Sequence, residues 1–280
     1  MKSILVLMTC HNRAKLTERG IIAASASAKF ANVSLFWAVT DDGSTDGTSN
    51  ILVNLCKNLK LIKGDGNLYW SRGMRAAWEG GRDSFSPCDF VLWLNDDVEI
   101  CESGLLDLIS AMELGDASIV SGACAQDSEL KYMSYGAFHL KSKRPTSLRE
   151  VMPNNTIQEI DTFNGNVVLM KWEVPNTIEI QPFSHMFGDI DFGLRARRYG
   201  FRMVTAKKFV GICFRDSLDF RWLSPEKNYQ ERIKDFFGPK GMVYSDLLRY
   251  NVAHTGFLLG TILTNLFYFK SLVKVLKIEK

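Results

Sequence analysis

Phe90-Val91-Leu92-Trp93-Leu94-Asn95-Asp96-Asp97-Val98 decides the fold. An apolar run of Phe, Val, Leu and Trp stops abruptly on Asn-Asp-Asp. Such a run reads as a buried strand, and the acids begin where the strand should end. Carboxylates at the C-terminal end of a buried strand sit at the open edge of an α/β sheet, where such sheets bind ligands. Hard oxygen ligands there suit Mg²⁺ or Mn²⁺ and, through the metal, a diphosphate. The same residues also make a solvated turn in which an Asp caps the next helix.

Outward from this stretch, strand and helix patterns alternate. Strands are predicted over residues 3–9, 33–40, 59–62, 90–94 and 117–121, with helices over 14–29, 46–58, 71–82 and 103–114. Repeated β-α-β of this kind argues for an α/β fold with a mostly parallel central sheet flanked by helices. A dinucleotide-binding domain fails its own test: Thr9-Cys10-His11-Asn12-Arg13 follows the first strand in place of Gly-x-Gly-x-x-Gly, and no Gly-Lys-Ser/Thr occurs. Residues 131–153 break the alternation with a polar, basic loop or hairpin. A strand over 162–172 is interrupted by Asn164-Gly165-Asn166, a helix over 189–199 stops at Gly200, and a strand follows over 201–205.

The chain has 280 residues, 46% of them hydrophobic, and a net charge of +3. That charge is too small to argue for nucleic acid. Its distribution is uneven: Arg221 to Lys280 holds ten Lys/Arg and five Asp/Glu, a tail of +5 on a remainder of −2. Six cysteines stand singly with no C-x-x-C pair, which argues against zinc and suits free thiols in a reducing compartment. The apolar N-terminus is too short for a signal h-region, and a cytoplasmic location is expected. Two units are expected: residues 1–215 as the α/β domain and 216–280 as a helical, basic and apolar extension. Between Arg249 and Lys270 no residue is formally charged, while Lys270, Lys274, Lys277 and Lys280 follow at helical spacing. This pattern fits a helix on an anionic membrane surface, and equally a core or oligomer-interface helix; Asn251, His254, Thr261, Thr264 and Asn265 make it a poor span.

Three further stretches carry chemistry. Asp41-Asp42-Gly43-Ser44-Thr45-Asp46 places acids at a second strand end, where an Asp can accept hydrogen bonds from a base or ribose; Asp-Gly-Ser is also ordinary turn chemistry. Lys63 to Arg75 is a glycine-punctuated loop entering a helix, in which Asn67 could bond a ligand and Arg72 or Arg75 could meet a phosphate. Gly188-Asp189-Ile190-Asp191 puts two carboxylates in the first turn of a helix, whose dipole favours their ionised forms; one of them next to a pocket can act as a general base, or simply cap the helix. The four histidines show no metal-ligand spacing.

In this order, Thr9 to Arg13, Asp41 to Asp46, the Gly66-Asn67 loop, Asn95-Asp96-Asp97, and Asp189-Ile190-Asp191 leading into Leu194-Arg195-Ala196-Arg197 resemble the family 2 glycosyltransferases and their nucleotide-sugar-binding GT-A fold. The likeness covers about residues 3–210. Gly66-Asn67-Leu68-Tyr69-Trp70 looks most like the rhamnosyltransferase-type branch that builds bacterial surface polysaccharides.

The resemblance implies an inverting transferase, dependent on Mg²⁺ or Mn²⁺. It would move a sugar from a UDP- or dTDP-sugar to a hydroxyl of a glycan or lipid-linked acceptor at the inner face of the membrane. Thr9, Asn12, Arg13, Asp41, Asp42, Asn67, Trp70, Arg72, Asn95 and Asp96 would meet the donor, and Asp97 the metal. Asn164, Gly165 and Asn166 would line the acceptor side. Asp189 would be the catalytic base, with Asp191 supporting it. Three departures stand out: Gly188 replaces the family's Glu, Arg75 replaces an Asn, and Gly211 to Arg215 lacks the His that some members use on the metal. The competing functions are a sugar-phosphate nucleotidyltransferase and an inactive nucleotide- or glycan-binding scaffold.

Overall fold

The computed structural model describes residues 1–215, 221–224 and 226–277. The chain begins β1 (Lys2–Cys10), α1 (Ala14–Ala31), β2 (Val33–Asp41), α2 (Thr48–Leu55), β3 (Leu59–Lys63), α3 (Tyr69–Ser84) and β4 (Phe90–Leu94). Short β5 (Glu99–Ile100), α4 (Gly104–Leu114), β6 (Ile119–Ala125), β7 (Met133–Tyr135), β8 (Ala137–Leu140) and β9 (Leu148–Val151) follow. Then come β10 (Thr162–Phe163), β11 (Val167–Lys171), α5 (Glu173–Thr177), α6 (Gly188–Arg198) and β12 (Met203–Ile212). A 3-10 turn at Arg221–Leu223 leads to α7 (Tyr229–Phe237), α8 (Tyr244–Thr255) and α9 (Phe257–Lys277).

The main sheet runs β3-β2-β1-β4-β11-β6-β12-β5, with β7 beside β6. β1 pairs in parallel with β2 on one side and β4 on the other. Its Ile4, Leu5, Val6, Leu7 and Met8 are fully buried, as expected of a strand covered on both faces. One apolar layer lies under α1 and α4, the other under α3 and α6. β11 enters antiparallel between β4 and β6, so the parallel pairing expected from the β-α-β pattern holds on either side of it. This insertion brings Asn164-Gly165-Asn166 back to the β4 end: Val167 pairs with Leu94, and the Asn95 N–H donates to the Asn166 carbonyl at 2.9 Å.

Boundaries moved for local reasons. α2 starts at Thr48 because Gly47 sits at φ +91°. The polar stretch after residue 131 is a hairpin, β8 against β9, extended by β10 into a small antiparallel sheet. Past residue 215, α7, α8 and α9 build an apolar cluster around Trp222, Phe236, Met242, Leu247 and Val275. This cluster is bolted to α6, its approach and the β8–β9 turn: Asp246 accepts from the Ser184 N–H at 2.6 Å, His254 Nε2 lies 2.9 Å from Asp191, and Tyr250 donates to the Pro145 carbonyl at 2.8 Å. Residues 216–220, where the extension was expected to begin, and Lys280 lie outside the described residues.

Candidate active site

Because β2, β1 and β4 are parallel neighbours, their C-terminal ends lie on one edge, and the loops that leave them share a cavity of about 590 Å³. Thr9, Arg13, Asp42, Trp70, Asn95, Asp96 and Asp97 line it, together with Asn164, Gly165, Asn166 and Asp189. A second cavity of about 560 Å³ adjoins it, with Asp189, Asn164, Tyr135, His185, Arg13 and Lys240 common to both. Its further walls are rich in aromatic residues, Phe138, Trp222, Tyr250 and Phe267 among them, and include Thr146 and Arg215.

The acids at the end of β4 are held by one guanidinium. Arg13 Nη1 donates to Asp96 Oδ1 at 3.0 Å and to Asp97 Oδ2 at 2.7 Å. Asp96 is nearly fully buried, which pushes its pKa up, and the Asp97 charge adds to this while Arg13 opposes it. Asp97 remains partly open to the cavity. In the Gly211 to Arg215 stretch, where the resembled pattern has a metal-ligand His, Cys213 reaches the site. Its thiol donates to Asp97 Oδ1 at 3.5 Å, and burial together with the Asp97 charge pushes its pKa up.

A divalent cation fits this site on two observations. The Arg13 guanidinium shows that the carboxylate pair accommodates positive charge, and both carboxylates present hard oxygens. No cluster of three or more His, Cys, Asp or Glu with ligating geometry occurs among the described residues. For such an ion the protein would supply one or two carboxylates and leave the remaining positions to other oxygen ligands, the mode Mg²⁺ favours.

Opposite this pair, α6 begins at Gly188 and presents Asp189. Asp189 Oδ2 accepts from the Gly165 N–H at 2.9 Å and Oδ1 from the Ile190 N–H at 2.8 Å. Burial raises its pKa above the ordinary carboxylate value, and these N–H bonds only partly offset that. Gly188 cannot be the Glu of the resembled pattern. A Cβ there would stand 3.1 Å from Ser71 Cβ and closer still to Ser71 Oγ, because α6 and α3 meet at this point. Phe187 and Tyr69, at the starts of α6 and α3, take φ +73° and +53°, and both flank the site.

Several residues named from the sequence lie elsewhere. Asp41 lines neither cavity; its buried carboxylate accepts from Ser44 N–H, Ser49 and Lys63, so it fixes the β2 end to β3. Asp42 does line the cavity, but its oxygens are taken by the N–H groups of Gly66, Leu68 and Tyr69 at 2.8–3.0 Å. It organises the loop over the site. Asn12 accepts from Thr45 N–H at 2.8 Å and braces the facing turn. Asn67 and Arg72 are exposed and line neither cavity, and Arg75 pairs with Glu79 and Glu179. Asp191 points away from the cavities: Arg195 and His254 hold it, and it locks α6 to α8. Tyr135, His185, Lys240 and Cys213 join the site without having been singled out. His185 stood beside a named motif, whereas Lys240 comes from the distant C-terminal elements and carries no local signal.

A search of curated proteins found no match. Among solved structures, TarS 1-349 of S. aureus in complex with UDP-GlcNAc superposes with a TM-score of 0.57 at 15% identity, covering 94% of this chain and 73% of that one. Another crystal structure of TarS 1-349 gives 0.52 at 16%, covering 94% and 72%. The mannosyltransferase PcManGT from Pyrobaculum calidifontis, in complex with GDP-Man and Mn²⁺, gives 0.56 at 14%, covering 97% and 72%. These likenesses establish a shared fold. The family model described as "Glycosyl transferase family 2" matches residues 5–164. That span runs from the first buried strand through the acids of β4 to the turn beside Asp189, and it places this chain in glycosyl transferase family 2.

Proposed function

We propose that the protein transfers a sugar, with inversion, from a UDP- or dTDP-sugar to a hydroxyl of a glycan or lipid-linked glycan, in bacterial surface polysaccharide (O-antigen or capsule) synthesis on the cytoplasmic side of the membrane. The observation that carries this reading is the place of Asp189, which lines both the cavity containing Asp96 and Asp97 and the aromatic-walled cavity beside it. A donor in the first and an acceptor in the second would meet at this carboxylate. The solved relatives that bind UDP-GlcNAc and GDP-Man with Mn²⁺ support a nucleotide-sugar donor here.

The first cavity would hold the nucleotide sugar along Thr9, the Asp42-braced loop, Trp70 and Asn95. Trp70 is fixed for this by its indole N–H, which donates to Asn95 at 2.8 Å, and by edge contact with Trp93. Arg13 and Lys240, both lining the cavity, put positive charge near the departing diphosphate. A Mg²⁺ or Mn²⁺ ion on Asp97, with Asp96 behind it, would neutralise the charge that develops there. Asp189 would take the proton of the acceptor hydroxyl as it attacks the anomeric carbon from the face opposite the leaving group. Its raised pKa makes it a stronger base than an exposed aspartate, and the Gly165 and Ile190 N–H groups fix its oxygens.

Replacing Asp189 by Asn tests the assignment. Turnover should fall by about 10²–10⁴, with nucleotide binding and thermal stability retained, and the wild-type product should have inverted anomeric configuration by NMR. Near-normal turnover in a folded Asp189→Asn protein would overturn it. Release of pyrophosphate from a nucleoside triphosphate would indicate nucleotidyl transfer instead, and absence of any donor turnover would indicate a binding scaffold.

A further inference from the structure

α9 carries an apolar seam that no part of the described chain covers. Leu259, Ile262, Leu266, Phe269, Val273 and Leu276 recur in strict steps of three and four residues, and all six are exposed. The spacing keeps them on one face of the helix. None of them lines either cavity of the proposed transfer site. Exposed Lys270 and Lys274 follow Leu266 by one and two turns and border the seam.

By length and composition this helix could cross a bilayer, the one such helix among the described residues. Its other face rules against that. Gly260 packs on the backbone of α8, where a Cβ would stand 2.6 Å from Val252 Cα; Thr264 accepts from Asn251 at 3.0 Å; and Val275 is buried in the cluster with Trp222 and Phe236. A span would carry α8, with Asp246 and Arg249, into hydrocarbon. A second copy on the seam meets a different obstacle. No Asp or Glu occurs from Leu247 to Lys277, so parallel seams would bring lysines together with no acid to answer them, and antiparallel seams would leave each set of lysines beside an uncharged helix end with no partner charge. An anionic lipid surface answers both features at once, taking the apolar face at the acyl boundary and the lysines at the headgroups.

We infer that α9 lies flat on an anionic bilayer through this seam, holding the whole protein at the membrane surface. Because Phe267 of the same helix walls the aromatic cavity, the docked protein would hold that cavity close to the lipid.

The test is flotation of the full chain with phosphatidylcholine vesicles, with and without phosphatidylglycerol. The expected result is binding only to the anionic vesicles, weakened by salt. The double variant Leu266→Gln/Phe269→Gln should lower partitioning by about tenfold or more. Lys270→Glu/Lys274→Glu should do so on anionic vesicles. All four exchanged side chains are exposed and lie outside the cavities, so both variants should keep their melting midpoint and their nucleotide binding; those two readouts report on the transfer site separately from the membrane. Failure of the wild type to bind anionic vesicles, or equal binding by the variants, would overturn the inference. So would a wild-type dimer in solution that Leu266→Gln/Phe269→Gln dissociates while vesicle binding is absent.

Discussion

One methyl group at Gly165 should disturb both halves of the proposed site. A Cβ there would stand 2.6 Å from Trp70 Cη2, closer still to Cζ2, and 3.2 Å from Asp189 Cβ. Ordinary carbon contacts lie near 3.5–4.0 Å, so the indole must retreat by about 1 Å. It has little room, since Trp93 lies edge-on with ring centroids at 5.3 Å and the indole N–H is tied to Asn95. Overpacking of this kind costs about 1–3 kcal/mol, and at about 2–4 °C per kcal/mol the melting midpoint should fall by several degrees. The Gly165 N–H also holds Asp189, so a shift of about 1 Å at the reacting groups should lower turnover by about a hundredfold. The assay is thermal unfolding and steady-state transfer on Gly165→Ala, Trp70→Phe and the double variant. Trp70→Phe removes both crowding ring atoms, so the Gly165→Ala penalty should shrink in that background by about 1 kcal/mol. Gly165→Ala within about 0.5 kcal/mol and twofold of wild type would refute the claim that this contact positions the site.

Two further outcomes follow from the charged groups. Arg13→Gln removes the cation between Asp96 and Asp97, so Mn²⁺ should bind more tightly without nucleotide, measured by calorimetry, while transfer slows; unchanged Mn²⁺ affinity would mean that Arg13 does not compete for the site. Asp191→Ala leaves Arg195 and His254 without their buried acceptor and should cost about 3 kcal/mol at neutral pH. Burial opposes ionisation of Asp191, but His254 and Arg195 outweigh it and hold its pKa below the ordinary value. Its contribution is therefore fully present above the unfolded pKa of about 3.9 and is lost as pH falls through the lower folded value. The stability gap between wild type and Asp191→Ala should thus close in acid; a gap independent of pH would assign the loss to packing.

The strand-end acids were legible because a buried strand announces its own end. Phe90 to Leu94 could only be central, and the parallel neighbours β1 and β2 bring Thr9, Arg13 and Asp42 to the same edge as Asp97. What each side chain does there was less legible. Asp41 and Asp42 are adjacent in a strand-like run, so they face opposite ways: one finds Lys63, the other the loop amides. Nothing local tells the two apart. Asn67 and Arg72 were assigned by their place in the loop and in the helix that follows it, yet both are exposed; Tyr69 between them takes a left-handed conformation that no composition rule flags. Lys240, Trp222 and Phe267 reach the cavities only through the docking of α7, α8 and α9, a tertiary fact with no signature in their own stretches.

The proposed transfer depends first on Asp97, at the end of the central strand, anchoring a metal-bound nucleotide sugar. Thermal stabilisation by UDP, dTDP, GDP and CMP, each with Mn²⁺ and with EDTA, on wild type and Asp97→Asn, tests it most directly. At a hundredfold excess over the dissociation constant a ligand adds about 2.7 kcal/mol. The wild type should show such a gain with at least one nucleotide in Mn²⁺, and should lose it both in EDTA and in a folded Asp97→Asn protein. No gain with any nucleotide, or a gain indifferent to EDTA and to Asp97→Asn, would contradict it.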